Sequence, residues 1–175
     1  MNRTKYIAYV GMLSSLWVVL QLTLGPMGFT LFGLPIFCDV SAYFPLLLAV
    51  WFFRKFGGAS SVGLIGSLVV LFFRPNAFQV LGFAASSVIF DLLAFVVKHE
   101  VKFEPKNVII VSLITVLSAY VAGLLIGLAI MGGTIQWTLT IWGPLHLIGG
   151  ILSLITSYPV LIALNRIGIR EHSQQ

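Results

Sequence analysis

Three ionisable residues lie inside long apolar segments of this sequence: Asp39, Asp91 and His146. Charged groups at membrane depth are energetically costly, so such residues usually bind, transport or anchor something. Asp39 follows the start of an apolar segment, where ligand binding and a structural cap are equally good interpretations. Asp91 lies seven residues before Lys98, about 10 Å along a helix from that end. We interpret Asp91 first as a structural anchor, neutral or paired with a Lys or Arg.

His146 belongs to a polar and aromatic group. Trp142 and His146 are spaced i, i+4, which places them on one helix face, and Trp137 lies just before them. Asn76 and Gln79 occupy a similar depth on another helix. Aromatic surfaces with a few hydrogen-bonding groups suit a small, flat, polar organic molecule. The predicted substrate-binding residues are Asp39, Asn76, Gln79, Trp137, Trp142 and His146. The alternative is an interfacial aromatic belt, which needs no ligand.

The sequence contains no recognisable catalytic motif. It has no G-x-x-x-x-G-K-[ST], H-E-x-x-H or G-x-S-x-G sequence, and no Cys/His cluster with metal-ligand spacing. We therefore predict no enzyme activity, no catalytic residue, no metal and no cofactor. Cys38 is the only cysteine, so no intrachain disulfide can form.

Composition places these residues in a membrane protein. Hydrophobic residues make up 59% of the 175 residues and charged residues only 9%, and the mean hydropathy is +1.06. A soluble domain carries about 25% charged residues. A soluble globular fold and a nucleic-acid-binding module are therefore excluded, despite a net charge of +5.

The apolar segments predict an all-α, polytopic membrane protein with six transmembrane helices in one bundle, forming a single domain over 1–175. A spanning helix needs about 20 mostly apolar residues. We expect the first segment to be a retained helix, since no small-x-small cleavage site precedes Gly25-Pro26. The predicted spans are 6–24, 36–53, 58–73, 77–97, 108–131 and 141–164.

The basic residues predict the orientation of these spans. Under a six-span model nine of the ten Lys and Arg fall on one side, and only Arg74 falls on the other. Basic residues concentrate in cytoplasmic loops, so both termini are predicted to be cytoplasmic in a cell-membrane protein. The outer loops are then 25–35, 74–76 and 132–140. The first has no charge, and it is either a cap folded over the bundle or a plain connector.

Small residues predict where helices approach one another, because lipid provides no hydrophobic drive for helix association. Gly63, Gly66, Gly82, Gly123 and Gly127, with Gly149 and Gly150, are interpreted mainly as internal packing positions. Ala8, Gly11 and Ser15 form a similar face on the first span. Because this face lies in the predicted cytoplasmic half, it is the best candidate for contact with another subunit.

Several segments together resemble the S components of energy-coupling factor (ECF) vitamin transporters. Four features are similar: the small-residue first helix, the Gly-Pro loop after it, the turn Arg54-Lys55-Phe56-Gly57-Gly58-Ala59, and Gly143-Pro144-Leu145-His146 in the last span. The first helix departs from the family's Ala-x-x-x-Ala pattern, since Met12 stands four residues after Ala8.

The resemblance implies a substrate-binding subunit that takes up a vitamin or related small micronutrient from outside. Its expected partners are that micronutrient, membrane lipid, a transmembrane coupling subunit and two ATPase subunits. Nucleic acid is not expected. The resemblance also implies a site in the outer half and docking through the first helix, here Ala8, Gly11 and Ser15.

Three other classes stay open. A small ion- or proton-coupled secondary carrier would depend on Asp39 or Asp91. A non-transport membrane scaffold would bind no small molecule. An intramembrane enzyme would show turnover. The formal charge of the substrate is ambiguous, since Asp39 favours a cation and Arg74 an anion.

Overall fold

The structure is a computed structural model that describes residues 2–169. This part of the chain is helical, with no strand, which confirms the all-α prediction. Six helices follow one another with short connections. They are α1 (Arg3–Phe32), α2 (Ile36–Phe53), α3 (Gly58–Phe73), α4 (Gln79–Val97), α5 (Pro105–Ile130) and α6 (Ile135–Arg166).

Five of the described helices are long and apolar enough to cross a membrane, which supports a polytopic membrane protein. The exception is α3, which has 16 residues and is about 24 Å long. That length falls short of the roughly 30 Å hydrocarbon core. Six spans, rather than five, therefore remain a prediction.

The first predicted outer loop is wrong over most of its length. Residues 25–32 continue α1, and the connection to α2 is only residues 33–35. Gly25 and Gly28 allow the end of α1 to pack closely on α2: a Cβ at Gly28 would lie 3.2 Å from the Cβ of Phe37. Gly33, with a φ of 66°, then ends the helix. This segment is therefore not a separate cap.

The last helix also begins earlier than predicted. Residues 135–140, assigned to an outer loop, form the first turns of α6, where Thr134 caps the helix by accepting a hydrogen bond from the Trp137 amide. The segment from Thr138 to Trp142 is a π-helical turn, and so is the end of α5 from Ile126 to Ile130. Such turns are rare and occur often at functional sites.

The helices surround α2, whose side chains are mostly buried. Around it, α1 packs on α3, α3 on α4, α4 on α5 and α5 on α6, and α2 contacts α1, α3 and α6. This order brings the start of α2 against the middle of α6, although more than 100 residues separate them.

The predicted packing glycines lie at these helix contacts. A Cβ at Gly66 of α3 would lie 2.6 Å from the Trp17 ring of α1, and one at Gly123 of α5 would lie 2.8 Å from the His146 ring. Side chains or backbone from other helices also stand where a Cβ would project from Gly63, Gly82, Gly127, Gly149 and Gly150. The prediction of internal packing positions is confirmed for this set.

The two ends of the bundle differ in charge. Eight described cations lie at one end, here called the basic end: Arg3, Lys5, Arg54, Lys55, Lys98, Lys102, Lys106 and Arg166. There Glu100 accepts a 2.8 Å hydrogen bond from Lys102 and pairs with Arg54, which together hold the pKa of Glu100 below its ordinary value. Arg74 lies at the opposite end, here called the Arg74 end. Arg170, predicted to join the basic side, lies outside the described residues.

We expect the Arg74 end to face the outside. With Cys38 replaced by Ser, a membrane-impermeant maleimide should label Asn76→Cys on intact cells and Lys102→Cys only after lysis. Both positions are exposed, so they are matched for access. The expectation follows from the distribution of Lys and Arg. Labelling of Lys102→Cys on intact cells, with Asn76→Cys protected, would reverse the topology.

Candidate functional site

A cavity of about 300 Å³ opens at the Arg74 end, between α1, the start of α2, the end of α3 and the start of α4. Its polar lining consists of Gln21, Thr30, Cys38, Arg74 and Gln79, and the remainder is apolar. The Gln21 amide donates a 3.1 Å hydrogen bond to the carbonyl of Cys38, which ties α1 to α2 beside the cavity. The lining is therefore mixed, with polar and apolar parts of similar extent. Concave sites that combine apolar surface with a few placed polar groups are typical of small-molecule binding.

Asp39 points away from this cavity and pairs with His146. The Nδ1 atom of His146 lies 3.0 Å from each carboxylate oxygen, with its hydrogen bond directed to Oδ1. Both side chains are fully buried. With Asp39 ionised, its carboxylate can only accept, and Nδ1 of His146 is then the donor. The pair links α2 to α6, and Gly149 leaves the space that the Asp39 carboxylate occupies.

An aromatic column continues from this pair toward the Arg74 end. The Trp142 ring meets His146 at a centroid distance of 5.5 Å, and Trp137 stacks on Trp142 at 5.3 Å. Phe83 of α4 closes the other side of His146 at 5.7 Å. The column therefore packs tightly, and it does not line the cavity.

Several polar atoms in this column have no hydrogen-bond partner. They are Nε2 of His146, Nε1 of Trp142 and Oγ1 of Thr138, and Oδ2 of Asp39 also accepts no hydrogen bond. Buried polar groups in proteins are normally satisfied. The buried pair therefore has unused hydrogen-bonding capacity at Nε2 of His146 and Oδ2 of Asp39.

The predicted site residues thus fall into two groups. Gln79 lines the cavity, and Asn76 lies exposed close by, in the turn before α4. Asp39, Trp142 and His146 are buried in the interior, and Trp137 is partly buried above them. The structure does not bring all six residues around one cavity. The prediction did not include Gln21, because no spacing pattern in the sequence connects this residue of α1 with the other polar residues of the site.

Asp91 forms a separate polar site near the basic end. Its Oδ2 accepts hydrogen bonds from the amides of Gly57 (2.9 Å) and Ser60 (2.8 Å) and from the Ser60 hydroxyl (2.7 Å). These amides belong to the first turn of α3, where a negative charge is favourable. The geometry supports a structural anchor for Asp91, held by backbone amides.

The partner of Asp91 is a histidine, in place of the Lys or Arg considered from the sequence. His99 Nε2 donates to Oδ1 (3.1 Å) and to the Asp91 carbonyl (2.9 Å). Lys98 and His99 both have a φ of 53°, which turns the chain back so that His99 is buried under α4. Sequence reasoning missed His99 because it stands among loop lysines.

No group of three or more His, Cys, Asp or Glu residues able to hold a metal occurs among residues 2–169. The chain matches no protein-family model, no curated protein and no solved structure. The geometry of the cavity, the buried pair and the exposed face of α1 must therefore carry any functional argument.

Proposed function

We propose that this protein is the substrate-binding membrane subunit of an ECF-type transporter and takes up a small micronutrient. The observation that carries the proposal is the cavity at the Arg74 end, which lies at the end predicted to face outside. Its volume, about 300 Å³, is at the lower end of the range for small-molecule sites, about 300–1,000 Å³. A single ring or a small bicyclic compound fits such a space.

A second feature supports the proposal. Ala8, Gly11 and Ser15 are all exposed on one face of α1, near the basic end. A Cβ at Gly11 would meet nothing within 4 Å, so this face packs against no other described helix. Small residues permit close helix approach in a membrane. The face therefore suits a transmembrane coupling subunit, with ATP hydrolysed by two separate ATPase subunits.

The test of the proposal is identification of a bound small molecule. We expect mass spectrometry of the protein purified from cells to detect a micronutrient at near one-to-one ratio. The variant Ala77→Trp, which fills the cavity from the turn before α4, should lose it. A matched control is Ala85→Trp, since Ala85 is exposed on α4 and does not line the cavity. If the wild-type protein carries no small molecule and binds none of thiamine, riboflavin, biotin or pyridoxine, the scaffold class is favoured instead.

Gly11→Leu is expected to block association with a coupling subunit and to leave substrate binding intact. The leucine side chain would project from α1 without touching the chain's own core. Co-purification of the coupling subunit should fall about tenfold or more. A loss of about 1.4 kcal/mol in the free energy of association, from less close helix packing, lowers the affinity tenfold. Met27→Leu is the control, since Met27 is exposed on another face of α1, in the half of the helix near the Arg74 end, and does not line the cavity. Unchanged co-purification and transport with Gly11→Leu would exclude this face.

A proton-coupled secondary carrier is the second candidate, and the buried Asp39–His146 pair favours it. A buried carboxylate–imidazole pair with an unpartnered Nε2 can gain or lose a proton within the membrane. Uptake into proteoliposomes separates the two classes. A carrier would accumulate substrate in response to a pH gradient without any other subunit, and Asp39→Asn would abolish this response. The proposed subunit would need ATP and its partners.

A further inference from the structure

From the sequence, Asp39 favours a cationic substrate and Arg74 an anionic one. The structure places these two residues in different surroundings. Arg74 lines the cavity, whereas Asp39 is fully buried and directed toward His146 of α6. We propose that the cavity at the Arg74 end binds a small organic monoanion whose carboxylate pairs with the Arg74 guanidinium. This inference rests on the proposed function, because it specifies the substrate class of the same site.

The charge inventory of the cavity supports an anion. Among the described residues, no Asp, Glu or His lines it, and Arg74 is its one charged residue. The other described acids, Asp91, Glu100 and Glu104, belong to the basic end or to the Asp91 site. A cationic substrate would therefore lose its hydration and meet an arginine with no compensating carboxylate. That arrangement disfavours cation binding.

Arg74 is also available for a ligand. It is exposed and forms no ion pair with any acid of residues 2–169. The other eight described cations lie at the basic end, so Arg74 is an exception to the charge distribution of the bundle. A guanidinium presents two parallel N–H donors that match a carboxylate in a bidentate pair. One such group neutralises one negative charge, which favours a monoanionic carboxylate over a phosphate dianion.

The remaining polar groups suit the rest of such a molecule. Gln21 and Gln79 provide amides, and Thr30 provides a hydroxyl that is already bonded to the α1 backbone. The apolar part of the lining includes Phe29 and Val70, which can contact a ring. The cavity therefore combines one anion-binding end with an apolar wall and neutral hydrogen-bonding groups.

The experiment compares the wild-type protein with Arg74→Gln and Arg74→Lys, each purified from the same cells and extracted for mass spectrometry. A carboxylate is recognised by its mass shift on methyl esterification. We expect a carboxylate-bearing molecule on the wild-type protein, strong depletion on Arg74→Gln and partial retention on Arg74→Lys. Phe73→Leu, an exposed change beside Arg74 at a position that does not line the cavity, should retain it. Because Arg74 is exposed, all variants are expected to fold, and a monodisperse gel-filtration profile checks this.

Charge-matched probes provide the second arm, by titration of the protein after the bound molecule is removed. The pairs are biotin with biotinamide, nicotinate with nicotinamide, and pantothenate with panthenol. We expect the acid extracted from the protein to bind about ten- to a hundredfold more tightly than its neutral amide or alcohol form. The same preference is expected for any probe acid that binds. Arg74→Gln should remove the difference between the acid and its neutral form.

The outcomes separate the two proposals. A bound molecule that is cationic or lacks an acidic group, with equal occupancy in Arg74→Gln, would overturn the monoanion inference and leave the uptake function standing. A bound phosphate ester would overturn the choice of a carboxylate. A protein that carries no molecule and binds none of the six probes would overturn both proposals.

Discussion

Replacing His146 by Leu is expected to lower the free energy of unfolding by about 3–5 kcal/mol, because the Asp39 carboxylate is then buried without its partner. Both side chains are inaccessible, so water cannot replace the lost hydrogen bond of 3.0 Å. Denaturant unfolding in detergent micelles measures the change. Asn76→Ala, at an exposed site, should change the stability by no more than about 0.5 kcal/mol.

The double variant makes this prediction specific. Asp39→Asn removes the charge that His146→Leu leaves unpaired, so the combination should recover part of the loss. The expected coupling is about 0.5–3 kcal/mol, as found for residues in direct contact. If the losses simply add, Asp39 and His146 do not stabilise the fold as a pair. A large loss of substrate binding with unchanged stability would instead show that the pair serves the ligand.

Asp91→Ala is expected to destabilise the protein by about 3–5 kcal/mol, chiefly by loosening the first turn of α3. The change leaves the amides of Gly57 and Ser60 and the Nε2 proton of His99 without their acceptor. Each unsatisfied buried donor costs about 1–3 kcal/mol of stability. Part of this cost is recovered where a water molecule enters and accepts the hydrogen bond. Unfolding by denaturant, with hydrogen exchange at the α3 amides, measures this effect.

A graded series distinguishes an anchor from a functional acid. Asp91→Asn keeps an acceptor oxygen and should cost less than Asp91→Ala. Ser60→Ala removes only one hydroxyl bond and should cost about 1 kcal/mol. The affinity of the folded fraction for substrate should stay unchanged throughout. Normal stability combined with lost transport in Asp91→Asn would show that Asp91 belongs to the transport mechanism.

Much of the fold follows from the sequence through simple physical rules. Long apolar segments and scarce charge predict an all-helical membrane protein, because a backbone in lipid must satisfy its hydrogen bonds internally. The glycines at Gly63, Gly66, Gly123 and Gly149 predict close helix contacts, and each one has a neighbouring helix where its Cβ would be. Helix ends were less predictable: Gly25-Pro26 indicated a loop, yet packing on α2 keeps this segment helical.

The candidate site was only partly predictable. The i, i+4 spacing of Trp142 and His146 placed them on one face, and the structure shows their rings in contact. The i, i+4 spacing gave no information about which neighbouring helix would pack against Trp142 and His146. That helix is α2, with Asp39 more than 100 residues away in the chain.

What the sequence by itself determined is the class of the protein: an apolar, helical membrane protein with an uneven distribution of basic residues. These properties depend on composition and on local periodicity. The tertiary structure decided which polar groups meet. Asp39 is hydrogen-bonded to His146 and does not line the cavity. Arg74 is the one charged residue, among those described, that lines the cavity. The physical reason is that partners for buried charges come from neighbouring helices, and only the packing order of the helices determines those neighbours.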